Sequence, residues 1–136
     1  MKRPDLDPEH ELFFRHSFDL LAVVGSDGYF KRVNPAFERV LGYSQEELYA
    51  QPLSHFMHPE DHAKTARGIQ RLTSGESTIE SVNRYRRKDG VYRWISWNTR
   101  PQGTLFYSVG RDITEQVDAE ERIRQLNAEL ARINDD

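Results

Sequence analysis

The 136-residue sequence contains no cysteine. That excludes a disulfide framework, a thiolate zinc site, a cysteine nucleophile and a thioether-attached chromophore. No apolar run approaches the roughly 20 residues needed to cross a bilayer, and the opening MKRPDLDPEHE lacks the apolar segment of a signal peptide. Charge of one sign is also missing. The 19 Lys and Arg against 22 Asp and Glu leave a net charge of −3, which removes any whole-chain electrostatic case for nucleic acid. No P-loop, nucleophile elbow, dinucleotide fingerprint or zinc motif occurs, and no local pattern relates Ser, His and Asp as a triad. These absences predict one cytoplasmic domain without catalysis, nucleic-acid binding or direct membrane insertion.

What is present suffices for a core. Seven Phe, six Tyr and two Trp supply large side chains to a chain that is otherwise polar, with 30% charged residues. Asp7-Pro8 opens a short helix carrying Leu12, Phe13 and His16 on one face, with Asp7 as its cap. Leu20–Val24 and Tyr29–Val33 read as strands joined by Ser26-Asp27-Gly28, an Asp-Gly hairpin signal. Asn34 and Pro35 then read as the cap and first position of a helix ending at Gly42, and Ser44 with Glu47 forms a capping box. Pro59 starts a longer helix reaching about Thr73, with His62, Ala66, Ile69 and Thr73 on a shared face. Thr78–Arg87, Val91–Arg100 and Thr104–Ile113 alternate as strands, the first pair joined by Lys88-Asp89-Gly90 and the second by a Pro101-Gln102-Gly103 turn. The fold class is α+β: a five-stranded antiparallel sheet with short helices on one face.

After Thr114 the period becomes helical. Gln116, Ala119, Ile123, Leu126, Leu130 and Ile133 follow the spacing of a coiled-coil seam. The stripe is short, and Glu115 and Glu120 would oppose each other in a parallel pair. A coiled-coil stub, favoured over a helix packed on its own domain, predicts a homodimer that depends on Ile123, Leu126, Leu130 and Ile133.

Seven motifs in order then carry a family resemblance. They are Asp27-Gly28, Asn34-Pro35-Ala36-Phe37, Leu41-Gly42-Tyr43-Ser44, His58-Pro59-Glu60-Asp61, Arg87-Lys88-Asp89-Gly90, Tyr92-Arg93-Trp94-Ile95 and Gly110-Arg111-Asp112-Ile113-Thr114. In these residues the chain resembles the PAS sensory domain with its C-terminal PAC segment, of the bacterial signalling-receptor type. The resemblance implies a cup-shaped sheet with a pocket between sheet and longest helix. It also implies an output domain, histidine kinase or cyclic-dinucleotide cyclase, further along the same polypeptide. On this reading residues 1–9 are a tail, 10–114 the sensory domain and 115–136 a signalling helix, the whole cut from a longer receptor.

The resemblance also singles out site residues. Asp112, Ile113 and Thr114 couple the sheet to the output helix; a plain helix cap is the structural alternative for Asp112 and Thr114, it is compatible with coupling, and the signalling role is favoured. Phe37, Phe56, His62, Ile69, Trp94, Ser108 and Gly110 are the pocket candidates. Phe106, Ser108, Gly110 and Asp112 share one strand face, and the small residues there leave room for a ligand or for a bulky neighbour such as Trp94. His62 is the haem-ligand candidate, but the matching position of the haem-binding branch falls nearer Lys64, so haem is disfavoured. Flavin photochemistry needs a cysteine that is absent; non-covalent flavin stays open. The expected cofactor is none or an unknown small ligand, with no metal; the alternative to a ligand-sensing pocket is a ligand-free scaffold for protein contacts. Arg84, Arg86, Arg87, Lys88 and Arg93 read as the solvent face of a hairpin.

Overall fold

Two Asp-Gly turns organise the sheet. In the computed structural model, which describes residues 8–134, β1 (Leu20–Gly25) and β2 (Phe30–Val33) pair across the first of them. The Asp27 carboxylate closes this turn, accepting the Tyr29 amide at 3.1 Å and the Lys31 ammonium at 2.7 Å. Gly28 sits at φ 82°, a left-handed conformation that a side chain would resist. β3 (Ile79–Arg86) and β4 (Tyr92–Gln102) pair across the second turn, and β4 returns as β5 (Leu105–Asp112). The five strands form one antiparallel sheet in the order β2-β1-β5-β4-β3.

One turn is shorter than its sequence suggests. Pro101 and Gln102 remain in β4, opposite Phe106 and Leu105, so only Gly103 and Thr104 make the reversal. Pro101 is tolerated because β3 stops pairing at Thr99, leaving no ladder on that side for the missing amide to break.

Short helices close one face of the sheet: α2 (Ala36–Leu41), α3 (Gln45–Tyr49), α4 (Leu53–Phe56) and α5 (His62–Thr73), the last entered through a 3-10 turn at Pro59–Asp61. None of the first three could persist alone at such lengths. Their apolar residues Phe37, Leu41, Leu48 and Phe56 meet Leu20, Val24, Ile95, Trp97 and Phe106 of the sheet in one core. The Ser44–Glu47 capping box forms as expected at the start of α3.

Asn34 does something else. It makes no side-chain cap on α2, whose boundary residue is Pro35. Its buried amide instead accepts the Leu21 N–H at 3.0 Å and donates to the Asp19 and Phe14 carbonyls at 2.9 and 3.1 Å. A cap would satisfy one backbone group; this arrangement satisfies three and ties α1 (Pro8–His16) to the sheet. Asp7, the expected cap of α1, lies outside the described residues. The face of α1 carrying Leu12 and Phe13 stays open to solvent, Phe13 being 75% exposed. Polar ties hold the helix: Glu11 accepts Arg32 at 2.7 Å, and the Arg32 guanidinium lies 3.9 Å from the Phe14 ring centre.

α6 (Thr114–Asn134) leaves the sheet and buries no residue on it. Ile123, Leu126, Leu130 and Ile133 are all exposed, Leu126 least at 48%. A helix packed along its own domain is therefore not what the chain forms. Among the described residues no helix is long and apolar enough to cross a membrane.

Candidate functional site

Alternation along β3, β4 and β5 decides which side chains face the helices. On β3 these are Ile79, Ser81, Asn83 and Tyr85; on β4, Ile95, Trp97 and Thr99; on β5, Phe106, Ser108 and Gly110. Between them and α5 lies a cavity of about 70 Å³. Its walls include Ala22, Val24 and Phe30 from the first hairpin, and Lys64, Thr65, Gly68, Ile69 and Leu72 from α5. Gly68 is one reason for the gap: a Cβ there would only just reach Ile79, at 3.9 Å. A glycine in a helix interior costs about 0.5–1 kcal/mol relative to alanine. The space is thus kept open at an energetic loss to the helix.

A polar thread crosses the cavity wall. The Trp97 indole N–H donates to Asn83 at 2.9 Å, the Asn83 amide donates to Thr65 at 3.3 Å, and the Thr65 hydroxyl meets the Met57 sulfur at 3.2 Å. Thr99 and Ser108 pair through their hydroxyls at 2.8 Å. Tyr85, another lining residue, is only 3% exposed. Burial pushes its pKa well above the ordinary phenol value.

Of the expected pocket residues, Ile69 and Ser108 line the cavity. Phe37 and Phe56 are core residues behind it, packed on Phe30 and Tyr43 with ring centres 5.3 and 4.8 Å apart. Gly110 is covered by a tryptophan, but by Trp97 rather than Trp94. A Cβ on Gly110 would lie 2.5 Å from the Trp97 ring, so the indole lies directly on the β5 backbone. Trp94 is on the opposite face of β4, with the Arg84 guanidinium 4.8 Å from its ring centre. The two tryptophans are three residues apart, so only one of them can face inward.

His62 is turned away from the cavity. Its Nε2–H reaches the Ser54 and Met57 carbonyls at 2.9 and 3.2 Å, which ties α5 to α4. His58 is structural, its Nδ1 accepting the Glu60 amide at 3.1 Å. With this donor set and this volume the cavity does not fit a haem; pockets for drug-sized ligands start at roughly 300 Å³. No group of three or more potential metal ligands occurs among the described residues.

Two ion pairs frame the site. Asp61, 5% exposed, accepts the Arg84 backbone N–H at 2.7 Å and its guanidinium at 2.9 Å, fixing the start of α5 to the β3 edge. Burial alone would raise the Asp61 pKa, but the hydrogen bonds and charge of Arg84, with the field of Lys64, hold it below the usual carboxylate range. Sequence reading missed this pair because its members are 23 residues apart. The basic hairpin expected to be simply solvated is in fact partnered: Arg84 by Asp61, Lys88 by Glu47, Arg93 by Asp112 and Arg87 by Asp89.

The second pair sits at the sheet–helix junction. Asp112 accepts Arg93 Nε at 2.7 Å, the Thr114 N–H at 2.9 Å and the Thr114 hydroxyl at 2.6 Å. Thr114 Oγ1 in turn accepts the Trp94 N–H at 2.8 Å, and the Ile113 N–H donates to the Trp94 carbonyl at 2.8 Å. Asp112 is therefore a cap and also a strap across two strands. Burial works to raise its pKa, and the Thr114 and Arg93 contacts outweigh it and hold the carboxyl low. β5 supplies Phe106 and Ser108 to the cavity wall and ends at this junction, so cavity and helix share one strand.

Comparison with known proteins fits this architecture. A model of the family described as PAS fold matches residues 30–106. The chain is 30% identical over 131 residues to a probable diguanylate cyclase, DgcE, of Escherichia coli K12, covering 90% of this chain and 12% of the relative. It is 27% identical over 110 residues to the sensor histidine kinase TmoS of Ectopseudomonas mendocina, covering 74% of this chain and 11% of that one. The crystal structure of a PAS domain from Colwellia psychrerythraea superposes with a TM-score of 0.71 at 24% identity, covering 79% of this chain and 96% of that domain. The chain thus corresponds to a small part of each curated relative's length. With the sheet order, the helix-covered cavity and the strapped exit helix already in place, these matches show that the chain belongs to the PAS-fold family and is a sensory module of the kind signalling proteins carry.

Proposed function

We propose that this module receives a signal at the α5 cavity, or at a dimer interface, and passes it to α6, without catalysing a reaction itself. Its output is a cytoplasmic cyclase or histidine-kinase domain in the same polypeptide, as the names of the two curated relatives suggest. The observation that carries this reading is the Asp112 junction. A strand that walls the cavity ends in a carboxylate bonded at once to β4, through Arg93, and to the first residue of α6. A shift of β5 relative to β4 must stretch one of these contacts or turn the helix, which is the two-state element that coupling requires.

The ligand is a small molecule of the size the cavity admits, and the dimer forms through the exposed α6 stripe together with the open surface around Phe13 and Phe18, the latter 92% exposed. The test is a signalling fusion that carries α6 in register with an output domain. Asp112→Ala should leave the domain folded, with a stability loss of about 1 kcal/mol typical of a cap, while blunting the response to stimulus. An undiminished response in the variant would reduce Asp112 to a cap.

A further inference from the structure

The α5 cavity carries chemical information about what it holds. Its walls are mainly apolar, with Phe30, Ile69, Leu72 and Ile79 among them, and no acidic residue lines it. One lining residue is a cation, Lys64. Its ammonium donates to the Val82 carbonyl on the β3 edge, and among the described residues no carboxylate is within ion-pair distance of it. Arg84, Arg93, Lys31 and Lys88 each have such a partner. The nearest acid along the helix, Asp61, is already occupied by Arg84. Tyr85 also lines the cavity.

Resting on the reading of this cavity as the sensing site, we propose that it takes a short-chain monocarboxylate, its carbon body against Gly68 and Ile79 and its carboxylate paired with Lys64. Size sets the length. A dry cavity of about 150 Å³ takes a six-carbon ring, so a cavity of about 70 Å³ holds a carbon body of about three carbons, as in butyrate, with the carboxylate outside it at the exposed Lys64. Charge sets the head group. A cationic ligand would be repelled by Lys64, and a second carboxylate would be buried among apolar walls without a counter-ion.

The experiment is a titration of the isotopically labelled chain with butyrate and, separately, with butyramide, followed by the backbone amides of Gly68, Ser81 and Asn83 and the Trp97 indole N–H. Butyrate should shift them saturably in the millimolar range, and butyramide should bind several-fold more weakly. Lys64→Met should weaken butyrate by about two- to fivefold, the size of one exposed charged contact, and leave butyramide unchanged. Gly68→Ala, which narrows the cavity without a clash, should weaken both probes. Equal affinity for the two probes, or indifference of butyrate to Lys64→Met, would overturn the carboxylate assignment while leaving the cavity as a binding site. Failure of both probes to move these resonances would overturn the sensing-site reading together with it, as would binding that ignores Gly68→Ala.

Discussion

Trp97 and Gly110 fit only as a pair. The indole lies where a side chain at position 110 would begin, and the same ring bonds to Asn83 at the cavity wall. Gly110→Ala forces the ring or the strand to move, and overpacking of this kind costs about 1–3 kcal/mol. Thermal unfolding should show that loss, and a Trp97→Leu background should recover part of it, because the two sites share one contact. Asp61 makes a prediction with a pH signature. Its pKa is held below its unfolded value near 3.9, so its contribution is fully present above that value and fades as pH falls through the lower folded one. Asp61→Asn should therefore cost about 2 kcal/mol at neutral pH, and the gap to wild type should close below about pH 4. A gap independent of pH would mean that shape, not charge, is what Asp61 supplies. Residues whose partners are near in sequence could be read without a structure: Ser44 with Glu47, Asp27 with Gly28. Asn34 and Asp61 could not, since the groups they satisfy lie 13 and 23 residues away.

At the scale of elements, α5 and α6 present opposite cases. α5 faces the sheet and carries a glycine where alanine would make a better helix. Gly68→Ala should raise thermal stability, by up to about 1 kcal/mol, in the same variant that narrows the cavity; a stability loss would show that the glycine is needed for packing instead. α6 was legible from its heptad spacing, and its freedom from the domain follows from the same residues, since no second apolar face exists to dock it. Ending the chain at Thr114 should convert a dimer to a monomer in sedimentation velocity. An unchanged oligomer would place the interface elsewhere, on α1 and the outer sheet face. The choice between Trp94 and Trp97 shows where local reading stops. Alternation says that they face opposite ways, but only the β4–β5 register, with Trp97 opposite Gly110, says which is inside.

Across the whole molecule, a closed face and an open face meet along β5. Phe106, Ser108 and Gly110 look into the helices, while Tyr107 and Val109 look out, both 45% exposed. The fold class, the strand count and the exit helix follow from turn chemistry and periodicity. The cavity does not, because it is a gap among residues from α5, both hairpins and β5 whose spacing no local pattern encodes. A change in that gap should be felt at Asp112 through Trp97, Gly110 and the end of β5. Filling it with one methyl group tests this without knowing the ligand. Amide spectra of wild type and Gly68→Ala should differ at the Trp97 indole, at Gly110, and on to the Thr114 and Val117 amides that begin α6. Shifts confined to residues touching position 68, with Thr114 and Val117 unmoved, would mean that cavity and helix are uncoupled.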